Sequence, residues 1–298
     1  MKRLILIIMI ITLLSLTGCV IDLKGSGIEI TDNNSREVKT GDLRIFSKEF
    51  DIKGQNNLKV DLNTSAGEIN LSKTNDKLFK GDIKTNIVEI KPRIDLRDDN
   101  LNIGYYNTKK ITFGIGKPSN FINKWDLKLT NKLPLSIDIE ANATKSIYDL
   151  TDLMVEEFTT DFNASDVDIY FNEKNKVDLD NLEIETNAGN VEVNGLSNAR
   201  AKDIDVDVNA GNASIDFDGD INYDVEMDIS VNVGSISLEL PNNAGIFIRK
   251  DSQLLSLDIH GKDLEKISSN EFKTTNYDDK KHKIDITIEG NASSINIK

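Results

Sequence analysis

The sequence predicts an all-β fold, a right-handed β-solenoid built as a stack of short strands. Between Leu182 and Leu240 one phrase occurs three times, as LEIETNAGNVEV, IDVDVNAGNASI and MDISVNVGSISL. In each copy, apolar residues alternate with other residues on both sides of an Asn-x-Gly turn. Alternation with a period of two is the pattern of a strand and not of a helix. Because a few short strands cannot bury their apolar row alone, we expect the copies to stack.

Four further copies extend the array along the chain. They lie at 60–71, 137–148, 158–169 and 286–297, and a degenerate copy lies at 246–257. The seven complete copies offer 28 apolar positions, of which 26 are apolar, whereas the overall composition would give about 11. The two exceptions are Ser146 and Thr160. From Asn142 the turn asparagines recur after 21, 24, 22 and 23 residues, a period typical of stacked repeat units.

The turn asparagines have two interpretations. Asn and Gly tolerate left-handed backbone geometry, so Asn-Ala-Gly suits a sharp corner. Stacked Asn side chains can hydrogen-bond from one rung to the next and stiffen that corner, which is the interpretation we favour. Alternatively, the corners present a regular polar face to a ligand.

The predicted organisation has four parts. Residues 1–18 are a lipoprotein signal peptide, and residues 19–45 form a polar tether in which Ile28–Ile30 is a candidate small strand. Residues 46–131 form a less regular β region, with a hairpin turn at Arg97–Asn100, a strand through Ile111, Phe113 and Ile115, and the only tryptophan, Trp125. Residues 132–298 form the regular β-repeat array. Leu150, Leu153, Met154 and Phe158 also fit a short helix, but we favour strands there.

The N-terminal segment predicts export and anchoring. Lys2 and Arg3 precede an apolar run from Leu4 to Leu16, which is typical of a secretory signal and too short to span a membrane as a helix. Leu16-Thr17-Gly18-Cys19 follows and resembles the lipobox of bacterial lipoproteins. That resemblance implies that Cys19 receives a diacylglyceryl group and becomes the first residue of the mature chain. An ordinary signal peptide with an incidental cysteine is the alternative.

The net charge of the chain indicates which kinds of partner it can bind. Without Lys2 and Arg3 the chain carries 34 basic and 50 acidic side chains, a net charge of −16. Such a charge repels anionic phosphates, so we expect no nucleic-acid partner. Cys19 is the only cysteine, so no disulfide within the chain is expected.

Several phrases together resemble a known family. NTSAGEINL, NASDVDIYF, ETNAGNVEVNGL and SVNVGSISLELPNNAG are similar to segments of the bacterial toast-rack family. Its β-repeat domain is similar to that of LiaF-type envelope-stress proteins and to adhesin domains. The resemblance spans residues 58–297 and implies a toast-rack-like β stack. It supplies no catalytic residue to transfer.

Two sets of side chains are candidate metal ligands. Asp216, Asp218, Asp220, Asn222 and Asp224 alternate along DFDGDINYD, and oxygen-rich faces can hold calcium. We favour the solvated outer face of a strand, because Ile221 stands where a helix-loop-helix calcium loop requires glycine. His260 and His282, the only histidines, lack the spacing of a zinc pair and are expected to be surface residues.

The predicted function is that of a non-enzymatic protein without a cofactor. We expect a scaffold or binding surface, lipid-anchored through Cys19 on the extracytoplasmic side of the cell membrane, whose partner is an envelope protein or a glycan. An accessory role in envelope-stress sensing is the first alternative. A glycan-active enzyme is the second, but with 50 acids no carboxylate pair is singled out.

Overall fold

The computed structural model describes residues 20–24, 27–31, 39–105, 121–251, 255–261 and 263–298. Cys19 and the predicted strand through Ile111, Phe113 and Ile115 lie outside these residues. The described chain is almost wholly β, with one short helix, α1 (Leu196–Ala199). The strands are β1 (Val20–Lys24), β2 (Gly27–Thr31), β3 (Thr40–Phe50), β4 (Leu58–Thr64), β5 (Gly67–Thr74), β6 (Phe79–Ile87), β7 (Pro92–Arg97), β8 (Asn100–Tyr105), β9 (Asn123–Thr130), β10 (Pro134–Ala141), β11 (Thr144–Asp149), β12 (Met154–Phe162), β13 (Ser165–Tyr170), β14 (Asn181–Thr186), β15 (Gly189–Asn194), β16 (Asp203–Asp216), β17 (Val225–Glu239), β18 (Gly245–Lys250), β19 (Ser256–Ile259), β20 (Leu264–Lys266), β21 (Glu271–Thr274) and β22 (Lys283–Ile297).

Each repeat forms one rung of a parallel stack, with one limb before the Asn turn and one limb after it. The first limbs pair side by side in the order β8, β4, β10, β12, β14, β16, β17, β22, β18, and we call this sheet the first wall. The second limbs pair in the order β9, β5, β11, β13, β15, β16, β17, β22, β19, which we call the second wall. Strands β16, β17 and β22 run through the corner and belong to both walls. The all-β stack of short strands is therefore confirmed.

The core lies between the two walls. All 28 positions of the predicted pattern are buried, including Ser146 and Thr160, which are each 1% exposed. One apolar cluster extends from Leu58 to Ile297. It crosses the predicted boundary at residue 131, because β10 pairs with β4 and β11 with β5. The less regular region and the regular array thus share one core.

The order of the rungs differs from their order in sequence at both ends of the stack. The last copy, β22, lies between β17 and the degenerate copy, which forms β18 and β19. A stack in simple sequence order would end with the copy at 286–297, whereas here the degenerate copy is the outermost rung. At the other end the first copy, β4 and β5, lies inside the rung formed by β8 and β9.

Antiparallel strands lie at each end of the stack. β7 pairs with β8, β6 with β9 and β3 with β6 at one end, and β20 and β21 pair beside β18 at the other. The predicted hairpin turn is confirmed, with Arg97 opposite Asn100 and Asp98 at φ 55°. Within the predicted tether, β1 and β2 form a separate hairpin that includes Ile28–Ile30, and β3 begins at Thr40. The tether therefore contains strands.

Two local interpretations have clear outcomes. The strand interpretation holds for Met154 and Phe158, which lie in β12, whereas Leu150 and Leu153 lie in the turn between β11 and β12. None of these four residues is helical. The acidic run was expected to be a strand, but β16 ends at Asp216 and residues 217–224 form a loop. Phe217 and Ile221 are buried there and fold the loop onto the core. No helix among the described residues is long and apolar enough to cross a membrane.

Candidate functional site

The corner between the walls is formed by a ladder of asparagine side chains. The Nδ2 atom of each Asn donates to the Oδ1 atom of the Asn one rung before it, at 2.8 to 3.2 Å. Asn142, at the start, is within 3.4 Å of the carbonyl oxygen of Thr64. The members, in stacking order, are Asn142, Asn163, Asn187, Asn209, Asn232 and Asn291. The ladder interpretation of the turn asparagines is therefore confirmed, and their amides bond to the protein itself.

Glycine is required at the third position of the Asn-x-Gly turn because successive rungs approach closely there. Gly189, Gly211 and Gly234 have φ values of 137°, 156° and 144°, a region that side chains disfavour. A Cβ atom on Gly211 would lie 2.1 Å from the carbonyl oxygen of Gly189. The Asn-x-Gly phrase therefore encodes both the side-chain ladder and the backbone contact of the corner.

A shorter polar ladder lies on the second wall beside the corner. Asn190 donates to Asp166 at 2.9 Å, Asn212 to Asn190 at 3.0 Å, and the hydroxyl of Ser235 lies 2.7 Å from Oδ1 of Asn212. Hydrogen-bonded rows on both sides of the turn hold successive rungs in register. The middle of the stack is therefore held by its side chains as well as by its backbone.

The outer face of the first wall is strongly acidic, and we call it the acidic face. It consists of two rows across the seven strands β4, β10, β12, β14, β16, β17 and β22, and five of the seven positions in each row are Asp or Glu. The other positions are Asn, Ser or Thr, so neither row contains a Lys or Arg. The carboxylates are those of Asp61, Asp138, Glu183, Asp205 and Asp228 in one row and Glu140, Asp161, Glu185, Asp207 and Glu289 in the other.

Crowding and partial burial raise the pKa values of several of these carboxyl groups. Burial raises the pKa of Glu185, and the charges of Asp161 and Asp207 add to the effect. The pKa of Asp207 is raised by burial and by Asp205, and Oδ1 of Asp207 is buried without a hydrogen-bond partner among the described residues. Like charges opposite each other on a sheet destabilise it. The acidic face therefore opposes folding at neutral pH.

The loops at the far ends of the limbs carry paired charges instead. Asp152, at φ 63°, forms ion pairs with Lys73 at 2.9 Å and with Lys176, and accepts a hydrogen bond from Asn131 at 2.9 Å. Hydrogen bonds from Lys176, Lys73 and Asn131 hold the pKa of Asp152 well below its usual range. This cluster joins the end of β5 to the loops that follow β9, β11 and β13, and is structural.

A groove lies along the corner near the N-terminal end of the stack. It has a volume of about 660 Å³ and is lined by Ala66, Ala143, Ala164 and Ala188, with Phe121 among the lining residues. Each of these alanines comes directly after Ser65 or a ladder asparagine in the sequence. The groove therefore runs along the corner. Four charged side chains also line the groove, namely Glu68, Lys124, Lys145 and Asp166, and Lys124 forms an ion pair with Glu68 at 2.7 Å.

The sequence-predicted metal ligands do not come together. Asp218, Asp220 and Asp224 are exposed on the 217–224 loop. His282 lies 3.5 Å from Asp224 through Nδ1, while His260 is exposed on the segment after β19. Among the described residues no group of three or more His, Cys, Asp or Glu side chains could hold a metal ion.

Trp125 belongs to the core. It is 1% exposed, its indole nitrogen donates to Oδ1 of Asn123 at 3.0 Å, and its ring meets Tyr105 edge to face at 5.3 Å.

The acidic face was not predicted from the sequence. The signal was present in the acids that alternate with the apolar positions of LEIET and IDVDV, because residues of one strand that alternate in type face opposite sides.

Comparison with known proteins gives a family match. The family model described as the N-terminal domain of toast_rack, DUF2154, matches residues 34–194, more than half of the chain. No curated protein matches the chain.

Solved structures are similar at low identity. A "putative cell adhesion protein" from Clostridium sporogenes is 20% identical, with a TM-score of 0.44 over 86% of this chain and 99% of that one. A "putative adhesin" from Bacteroides fragilis is 14% identical, with a TM-score of 0.36 over 86% and 97% of the two chains. A "putative lipid binding protein" from Parabacteroides distasonis is 13% identical, with a TM-score of 0.37 over 87% and 97%.

Proposed function

This chain belongs to the toast-rack N-terminal domain family, and on that premise we propose that it is a non-enzymatic binding scaffold, lipid-anchored through Cys19 on the extracytoplasmic side of the cell membrane. The observation that carries the scaffold proposal is the unbroken stack, in which parallel pairing and the Asn ladder link the rungs from Asn142 to Asn291. Such a stack presents long, ordered outer faces, the kind of surface that repeat proteins use for binding.

The anchoring proposal rests on the N-terminal sequence. The positive start, the short apolar run and Leu-Thr-Gly-Cys19 support lipidation, and two acyl chains would anchor stably where one is marginal. Metabolic labelling with palmitate tests it. We expect the wild-type chain to be labelled and membrane-bound, and Cys19→Ser to be unlabelled. Membrane retention of Cys19→Ser equal to that of the wild type would contradict anchoring through this residue.

The binding proposal is tested on the faces of the stack. A photo-reactive amino acid is placed at Glu183 on the acidic face, at Ser214 on the outer face of the second wall, and at buried Ile184 as a matched control. Irradiation of cells should give discrete adducts with an envelope protein or glycan from one of the two outer faces and none from Ile184. Absence of adducts from both outer faces, in chains shown to be folded and exported, would contradict binding by these faces.

The family resemblance also supports an accessory role in envelope-stress sensing. That role predicts that deletion of the gene changes the response to cell-wall antibiotics. An unchanged response to these antibiotics would contradict the stress-sensing role. The glycan-active alternative predicts product release from purified cell-wall glycans, lost when one carboxylate pair is neutralised. No release from any glycan would leave the non-enzymatic proposal in place.

A further inference from the structure

The strand β3 forms an open edge at the N-terminal end of the stack. In the part of the chain that the structure describes, β3 pairs with β6 and with no other strand. Its outward-facing side chains include Leu43, which is 52% exposed, and Ile45, which is 60% exposed. An exposed apolar edge strand is a ready template for pairing with another chain.

Several features of this edge form one apolar patch. Val88 follows β6 and is 50% exposed. A Cβ atom built on Gly41 would lie 3.2 Å from Cγ2 of Val88, so this side chain lies against the start of β3. Leu43, Ile45 and Val88 are three of the six large apolar side chains that are exposed among the described residues. Half of the exposed large apolar side chains in the described part of the chain therefore lie at this edge.

The sequence of β3 is complementary to itself. The register of β3 against β6 shifts between Thr40 and Arg44. If the free edge of β3 is extended from Asp42 to Lys48 and two copies pair antiparallel with Ile45 opposite Ile45, then Asp42 of each copy lies opposite Lys48 of the other. The same register places Arg44 opposite Phe46, a favourable cation–π arrangement that Arg44 already makes with Phe46 within one chain, at 5.7 Å. A twofold axis through Ile45 repeats each of these contacts.

Neighbouring registers that keep the twofold axis are less favourable. An axis through Arg44 places two guanidinium groups opposite each other. An axis through Phe46 places Arg44 opposite Lys48. Since like charges directly opposite each other destabilise a strand pair, the register centred on Ile45 is preferred over these two neighbours.

We propose that β3 is a homodimerisation edge, which pairs antiparallel with β3 of a second copy in the register centred on Ile45. A second copy is the occupant that the charge pattern fits, because two copies of the same strand form the cross-strand pair of Asp42 with Lys48 twice. One strand pair is a small interface and gives a transient dimer. Anchoring of both copies in one membrane, which rests on the proposed function, would raise their effective concentration; the pairing itself does not depend on it.

Cysteine cross-linking tests the register. In the full-length chain carrying Cys19→Ser, in mild detergent, Ile45→Cys introduces the only thiol at the proposed twofold axis. Oxidation should convert Ile45→Cys to a covalent dimer rapidly. Ile147→Cys, on the outer face of the second wall and 39% exposed in the wild type, is the matched control and should cross-link at least about tenfold more slowly. Equal rates for the two variants would overturn the proposal.

A charge swap separates pairing from local damage. In the same background, without added cysteines, Asp42→Lys and Lys48→Asp should each weaken the dimer about tenfold or more in sedimentation experiments, because each creates two like-charge pairs. The double variant should restore dimerisation. A double variant that dimerises no better than either single variant, with an unchanged melting temperature, would overturn the register. Because the protein is not acylated, the result is independent of whether Cys19 anchors the native chain.

Discussion

Nδ2 of Asn291 donates a hydrogen bond to Oδ1 of Asn232 at 2.8 Å, although 59 residues separate the two in sequence. Asn232 in turn donates to Asn209, so the last copy of the repeat continues the ladder directly from the sixth. The degenerate copy, which lies between them in sequence, is displaced to the outside of the stack. The most regular copies are thus kept together and the irregular one covers the end.

The first prediction concerns the ladder. Asn209→Ala removes the bond that Asn209 donates to Asn187 and the bond that it accepts from Asn232. We expect a loss of about 1–2 kcal/mol in the free energy of unfolding, because the facing amide groups of a half-buried row lose their partners. Asn212→Ala on the same strand is the control. It is exposed, so its partners regain water, and we expect less than about 0.5 kcal/mol. Denaturant unfolding measures both, and equal losses would contradict a special role for the corner.

The second prediction concerns the corner glycines. Gly211→Ala should destabilise the protein by about 2–4 kcal/mol, because the new Cβ atom would lie 2.1 Å from the carbonyl oxygen of Gly189. Gly54→Ala separates the clash from the backbone strain. Gly54 has φ 89° but no atom within 4 Å of its Cβ position, so we expect about 1 kcal/mol. Thermal unfolding that ranks Gly54→Ala as the more harmful would show that the rungs are not in close contact.

The third prediction tests which side of the strand faces the core. Ile215 is 2% exposed, and Ile215→Asp would bury a charge between the walls. We expect a loss of several kcal/mol, on the order of 4, or failure to fold. Ser214→Asp, one residue earlier on the outer face, should stay within about 1 kcal/mol of the wild type. Soluble yield and denaturant midpoint compare the two variants. Equal stability of Ile215→Asp and Ser214→Asp would contradict the inward orientation of Ile215.

The fourth prediction concerns pH. The pKa values of Glu185, Asp205 and Asp207 are raised in the folded state, so the folded chain takes up protons before the unfolded chain does. Stability should therefore rise as pH falls from 7 toward the raised pKa values. It should fall again in stronger acid, where Asp152, whose pKa is lowered, stays charged in the folded chain while the unfolded chain binds protons.

Two variants test separately the destabilising charges of the acidic face and the stabilising charge of Asp152. Glu185→Gln should stabilise the protein at pH 7 by about 0.5 kcal/mol, because it removes one repelling charge from a partly screened face. Asp152→Asn should destabilise it by up to about 1 kcal/mol, because Lys73 and Lys176 lose their partner. Denaturant unfolding at pH 7 and at pH near 5, at low salt, measures both. Destabilisation by Glu185→Gln would contradict repulsion on the acidic face.

The interior of the stack could be predicted from the sequence, because each rung repeats one local rule. Alternation placed Val191 and Ile215 inside, and the Asn-x-Gly turn indicated the ladder. The repeat pattern does not predict which rungs lie next to each other. Parallel pairing of β17 with β22 or with β19 would bury similar apolar rows, so the order at the ends depends on longer connections that the repeat does not encode.

Other misses have local causes. The loop 217–224 alternates like a strand, but β16 ends at Asp216 and Gly219 at φ 121° is not extended. The short helix α1 lies between Gly195 at φ 74° and Arg200 at φ 61°, two left-handed residues that the periodicity of the sequence does not reveal. In the sequence the acidic face is present only as single acids in each copy. The parallel register of the strands aligns these acids into rows.

The central structural claim is that the last copy of the repeat lies inside the stack, and a pair of engineered disulfides tests it most directly. Ser235 pairs with Ser294, and Ser294 pairs with Ser256 on the other side. Neighbouring strands lie about 4.8 Å apart, within reach of a disulfide, whereas strands two rungs apart lie roughly twice that distance. In a Cys19→Ser background, Ser235→Cys with Ser294→Cys should form an internal disulfide, and Ser235→Cys with Ser256→Cys should not. The reverse outcome, with a bond between positions 235 and 256 and none between 235 and 294, would show that the rungs follow sequence order and would contradict the fold described.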